Sequence, residues 1–144
     1  MTTPTLLAIA LETAHRAPMS LVDTAEITIA EGLVGNVPQS SYRRVTLLSR
    51  EQWEDVQTVA ALPWHTRRAN LLVEGLTLAS LKGKTLRIND VELNVNGETE
   101  PCRLMDEAHH GLKTILKPDW RGGVYAAIQK GGTIKTGDPI EIVE

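Results

Sequence analysis

The single cysteine of this chain, Cys102, is the residue best suited to covalent or metal chemistry. Pro101 is well placed at the first position of a helix running through Leu104, Met105 and Ala108, with Gly111 as its stop. On that reading the thiol lies in the first turn, where unpaired backbone N–H groups and the helix dipole favour a thiolate, and Arg103 adds positive charge. A thiolate attacks electrophiles, carries a persulfide or binds a soft metal. The competing reading is a small buried hydrophobe, as most free cysteines are.

Arginines are the second set. Arg43-Arg44 precede one apolar run, Arg67-Arg68 precede another with Asn70 following, and Arg121 stands in Trp120-Arg-Gly-Gly123. The guanidinium fork suits phosphate and carboxylate oxygens, and flanking glycines let backbone approach a ligand. Where such a pair lies on a strand, its side chains face opposite sides, so at least one member of each pair is expected to be a solvated surface charge. Gly32-Leu-Val-Gly-Asn36 signals a loop but has neither a P-loop ending nor a dinucleotide fingerprint. The four histidines show no ligand spacing, and His109 and His110 would diverge on a helix. His15 and His65 read as exposed or structural, and no Ser/His/Asp arrangement stands out.

Short apolar stretches must position these groups. Residues 6–10, Ile27 with Ile29, residues 45–48, residues 70–73 and residues 140–143 read as strands. Residues 85–88 and 91–95 alternate on either side of Asn89-Asp90 and predict a β-hairpin. Val124, Ala126 and Ile128 alternate before a turn at residues 130–133. Ser49-Arg-Glu-Gln52 has the form of a capping box before Trp53, Val56 and Ala60 at helical spacing. The fold class expected is mainly β, a small closed or partly open barrel with short helical insertions; the closed form is preferred because it removes sheet edges.

The chain has 144 residues, no linker and no repeat, and reads as a single domain over residues 1–144. With no Phe, three Trp and two Tyr, its core must be aliphatic, and it lacks aromatic platforms for stacking bases. A net charge of −3 argues against a general nucleic-acid or anionic-membrane binder, leaving anion binding to local basic clusters. One cysteine makes neither an intrachain disulfide nor a multi-cysteine metal site. The first residues read as neither signal peptide nor membrane span, so a reducing cytoplasm is expected.

Three stretches together resemble the MOSC domain family (molybdenum cofactor sulfurase C-terminal): Trp64-His-Thr-Arg-Arg-Ala-Asn-Leu-Leu-Val-Glu-Gly-Leu76, Leu81-Lys-Gly-Lys-Thr-Leu-Arg-Ile88 and Gly97-Glu-Thr-Glu-Pro-Cys-Arg-Leu-Met105. Glu31-Gly-Leu-Val-Gly-Asn36 and the stretch from Arg121-Gly-Gly-Val-Tyr125 to Asp138 fit as well. The resemblance implies a β-barrel that binds the molybdenum cofactor, a pterin dithiolene carrying a phosphate. It also implies that Cys102 is a molybdenum ligand or a persulfide carrier, with Arg67, Arg68, Asn70 and Arg121 contacting the cofactor. Reduction of N-hydroxylated substrates would need an electron-donor protein, and sulfur transfer a cysteine desulfurase. A metal-free thiol carrier and a non-catalytic binding module are the alternatives. The chain departs from the family in having Gly35-Asn36 where many members have Gly-Asp, and Ser40-Ser-Tyr-Arg-Arg44 where a His-containing stretch often follows. Pyridoxal phosphate, the cofactor of the sulfurases' aminotransferase-like domain, has no supporting lysine context here.

Overall fold

The alternation on both sides of Asn89-Asp90 forms the hairpin that it predicts. In the computed structural model, which describes residues 3–58 and 61–143, Leu86 pairs with Leu93 and Ile88 with Val91. Val91, Leu93 and Val95 point into the core while Glu92, Asn94 and Asn96 face outward. Ala60, the last position of the helical periodicity, lies outside the described residues.

In chain order the strands are β1 (Thr5–Leu11), β2 (Ser20–Val22), β3 (Thr24–Thr28), β4 (Gly32–Leu33), β5 (Val45–Ser49), β6 (Leu71–Glu74), β7 (Thr85–Ile88), β8 (Val91–Glu98), β9 (Val124–Lys130), β10 (Gly132–Lys135) and β11 (Ile140–Val143). The helices are α1 (Arg50–Gln57), α2 (Arg103–Ala108) and α3 (Leu112–Leu116). An eight-stranded sheet runs in the order β11-β7-β8-β9-β5-β6-β1-β2, and a three-stranded one in the order β10-β3-β4. Ile29 falls beyond β3 and is exposed. Residues 130–133 do not make a hairpin turn: they carry the chain from β9 in the large sheet to β10, which pairs with β3 in the small one.

The barrel is partly open rather than closed. Its ends approach where Leu6 donates to the Asp138 carbonyl at 2.9 Å and Ile140 donates to that of Pro4 at 2.8 Å. Contact between the ends stops at one isolated bridge, Thr5 with Pro139, because proline has no N–H to continue a ladder.

Two clusters fill the molecule. Leu6, Ile9, Leu47, Leu71, Leu86 and Leu93 belong to the main core, whereas Leu48, Leu72, Trp53, Met105, Leu112 and Leu116 make a second one under the helices. β5 and β6 therefore bury both faces, which accounts for their unbroken apolar runs. Their parallel pairing is bridged by α1, whose first turn is capped by Ser49 Oγ accepting from Gln52 N at 3.2 Å. The capping box closes only halfway, since the Gln52 side chain donates instead to the Asp119 carbonyl at 2.7 Å. Among the described residues no helix is long and apolar enough to cross a membrane.

Candidate functional site

The helix after Pro101 begins two residues later than its sequence suggests, at Arg103. Cys102 is the N-cap of α2, with φ −122° and ψ −179°, and the buried Pro101 lies before it. The helix has only six residues, so its dipole is weak, and it ends at Ala108; Gly111, in a left-handed conformation, starts α3 instead of stopping α2. Cys102 is exposed, which removes the buried-hydrophobe reading. Met105, three residues on, anchors α2 in the second core and so places the thiol at a cavity mouth.

That cavity has a volume of about 300 Å³. Cys102, Arg67, Arg68 and Asn70 all line it, while Arg121 does not. Arg121 donates to the Ile115 carbonyl near the end of α3 at 3.1 Å, and its neighbour Gly122 is the residue of that segment that reaches the wall. Arg103 is exposed and absent from the lining.

Arg67 is 7% exposed and ends a short 3₁₀ turn, residues Trp64–Arg67. Its Nε donates to the Gly122 carbonyl at 3.0 Å and its NH2 to that of Thr99 at 2.9 Å; NH1 meets only Met105 Sδ, at 3.8 Å. No carboxylate pairs with it among the described residues, and burial lowers its pKa to about 10, opposed by the charge of Cys102. The guanidinium lines the same cavity as the thiol. Glu98, at the end of β8, is held above the ordinary carboxyl range by burial and by the like charge of Glu100, against the attraction of Arg67.

Arg68 takes a left-handed conformation, φ 65° and ψ 28°, directly after the turn. Because the pair does not lie on a strand, the opposite-face rule does not apply, and both arginines line the cavity. Arg68 NH2 nevertheless has partners of its own, Glu12 Oε1 at 2.7 Å and the Ala17 carbonyl at 2.6 Å. Asn70 is buried and fully occupied. Its Oδ1 accepts from Thr46 N and Oγ1, each at 3.2 Å, and its Nδ2 donates to the Ala10 carbonyl at 3.1 Å and to Asn36 Oδ1 at 3.2 Å. Asn36 Oδ1 also accepts from Glu12 N at 2.6 Å, so the amide that replaces the family's common carboxylate serves as an acceptor at the head of this network.

The lining also includes Glu12, His15, Arg16, Arg43, Thr99 and Glu100. Of these, Arg43 stands in a pair that the sequence marks, and Glu12 ends the first apolar run; nothing local singles out Thr99, whose Oγ1 is buried without a hydrogen-bond partner. Four arginines face two glutamates in the lining, a positive field in a chain of negative net charge, suited to an anionic ligand. No three His, Cys, Asp or Glu side chains converge among the described residues, so a metal at Cys102 would need further donors from an organic ligand.

The MOSC domain family model matches residues 34–141. The YuaD protein from Bacillus subtilis has a similar structure, with a TM-score of 0.84 at 15% identity, covering 98% of this chain and 96% of that one. YiiM from Geobacillus stearothermophilus superposes with a TM-score of 0.80 at 15% identity, covering 98% of this chain and 75% of that one. For YiiM from Escherichia coli the TM-score is 0.76 at 17% identity, with 97% of this chain and 70% of that one covered. No curated protein matches the chain significantly in sequence. With the family model spanning most of its length and the partly open barrel shared with these structures, the chain belongs to the MOSC domain family.

Proposed function

We propose that this chain binds the molybdenum cofactor in the arginine-lined cavity, with the Cys102 sulfur as a ligand to the metal. The observation that carries this reading is an exposed lone thiol at the mouth of a positively charged cavity, with no cluster of three His, Cys, Asp or Glu metal donors among the described residues. A soft thiolate suits molybdenum, and a dithiolene would supply the sulfur donors that the chain lacks. The residues present therefore fit the group.

Cys102 would hold the metal at the mouth. Arg67, fixed by the Gly122 and Thr99 carbonyls, would supply a preorganised cation with NH1 free of any oxygen partner. Arg68 and Asn70 would shape the wall, each already bonded within the protein, and Arg121 would brace α3 behind Gly122. When bound, the cofactor supplies two-electron oxygen-atom transfer, which would let an enzyme of this kind reduce N-hydroxylated substrates with electrons from a donor protein. The test is the molybdenum content of the chain purified from cofactor-making cells. Near-stoichiometric metal, lost in Cys102→Ser, supports the reading; full metal in that variant removes Cys102 as ligand.

The exposure of Cys102 favours a second reading, a sulfur carrier. The Cys102 thiolate would attack the outer sulfur of a cysteine desulfurase persulfide, forming one S–S bond as the donor's breaks and leaving the desulfurase thiolate. Mass spectrometry after incubation with a desulfurase and cysteine would show one added sulfur on Cys102, and its absence would count against this reading.

A further inference from the structure

Residues 12–19 form a strap along two cavities. Glu12 Oε1 accepts from Arg16 N at 3.1 Å, and Arg68 NH2 donates to the Ala17 carbonyl at 2.6 Å, which fixes the strap to the turn before β6. Glu12 and His15 line the first cavity, whereas Pro18 and Met19 line a second one of about 290 Å³. Arg68, Leu104 and Met105 belong to both linings. The second cavity thus adjoins the first across the α2 residues that follow Cys102.

Its chemistry is different. Pro18, Met19, Leu104, Met105 and Ala108 make its wall mostly apolar. Among the described residues Arg68 is the one permanent charge in the lining, and Glu12 pairs with it at 2.7 Å. That pairing leaves little to attract an ion, and an apolar wall disfavours burying one. Met19 and Leu104 are half-buried, so an apolar occupant would remove their remaining surface from water.

The wall also suits a flat ring. Two thioethers, those of Met19 and Met105, supply polarisable contacts that aromatic rings favour. His65 stands edge-to-face with Trp64, centroids 5.9 Å apart at 84°, which fixes its imidazole in the same wall. Organic-ligand sites begin at about 300 Å³, so this cavity admits about one ring with a short substituent.

We propose that the second cavity is the subsite for an uncharged aromatic body of the substrate, with Met19, Leu104 and Ala108 setting specificity while the reacting group lies beside Cys102. The assignment rests on the cofactor reading for the identity of that reacting group, an N-hydroxyl. The preference for a neutral ring comes from the cavity itself.

The experiment follows isotope-labelled methionine methyl groups of the full chain by NMR during titration with two neutral probes. Benzohydroxamic acid carries a ring, and acetohydroxamic acid has the same head without one. Ring currents move the Met19 and Met105 signals with the first probe, at a Kd of about millimolar, and the second leaves them in place. Ala108→Trp, which fills the cavity from an exposed position on α2, weakens binding about tenfold or more. Met19→Ala, on the strap, weakens it several-fold and so answers independently of any change in α2. Unmoved signals at about 10 mM benzohydroxamic acid, equal shifts with acetohydroxamic acid, or unchanged affinity in both variants overturns the subsite.

In a second arm the molybdenum-loaded chain reduces the probes with reduced viologen. Two electrons and two protons convert each N-hydroxyl to N–H and water. Ala108→Trp raises KM for benzohydroxamic acid about tenfold without changing kcat, and leaves both constants for acetohydroxamic acid unchanged. Equal effects on the two probes overturn the specificity role. Failure of the cofactor reading appears separately, as protein without molybdenum that reduces neither probe while its methionine signals still respond to the ring. Such protein keeps the aromatic subsite and loses only the N-hydroxyl.

Discussion

Arg67 donates from NH2 to the carbonyl of Thr99 at 2.9 Å, tying the turn before β6 to the segment that leads to Cys102. Its Nε bond to Gly122 brings the segment before β9 to the same point. One buried side chain thus holds together three parts of the cavity wall that are distant in sequence, and it lines the same cavity as the thiol. Structure and electrostatics here depend on the fork geometry, not on charge alone.

Arg67→Lys tests that statement. An ammonium cannot reach both carbonyls from one planar group, so at least one buried acceptor is left unpaired. The unfolding free energy should fall by about 1–3 kcal/mol in denaturant titrations. A lysine variant as stable as wild type would show that the carbonyl contacts contribute little.

Glu98 predicts a pH dependence. Because burial and Glu100 raise its pKa, the folded chain holds this proton more tightly than the unfolded chain does. The resulting stabilisation is complete below the ordinary value of 4.5 and disappears as pH rises through the raised folded value. Glu98→Gln should remove that loss, so its Tm gains on wild type as pH rises from the ordinary value of 4.5 through the raised folded value. Parallel Tm profiles for the two proteins would contradict the assignment.

Two glycines separate strain from contact. Gly123, at φ 95°, would place a Cβ 2.1 Å from the Leu47 carbonyl oxygen, whereas Gly83, at φ 82°, has open space around it. Gly83→Ala should cost about 1 kcal/mol, the price of the left-handed backbone, and Gly123→Ala about 3 kcal/mol or more. Equal costs in urea unfolding would mean that β5 yields to the added methyl.

Glu12 and Arg68 should be coupled. Their side chains are 19% and 29% exposed and their charged atoms lie 2.7 Å apart, so a double-mutant cycle with Glu12→Gln and Arg68→Gln should give about 0.5–1 kcal/mol of interaction energy. A coupling near zero would leave Arg68 free for ligand.

Local pattern carried the strands well because their period is a property of each segment. β8 alternates strictly from Val91, and β5 and β6 run apolar because both faces are buried. It failed where distant residues decide. Pro101 is buried ahead of α2 rather than inside it, and α2 is too short for its ends to be read from propensity. The partner of Arg68 is Glu12, 56 residues earlier, and the Tyr125 ring that Arg43 lies over is on a strand near the other end of the chain. Cys102, Arg67, Arg68 and Asn70 do share one cavity, but no sequence pattern separates an arginine with an internal partner from one without. Arg121 sits in a glycine-flanked motif whose backbone, at Gly122, reaches the cavity while its side chain braces a helix.

The central claim is that the Cys102 sulfur is bonded to molybdenum when the cofactor is present, and alkylation of that one thiol tests it most directly. Protein carrying close to one molybdenum per chain should leave Cys102 unlabelled by iodoacetamide, and the same exposed thiol should label readily once the metal is removed. Equal labelling of Cys102 in the metal-loaded and metal-free forms would contradict the claim.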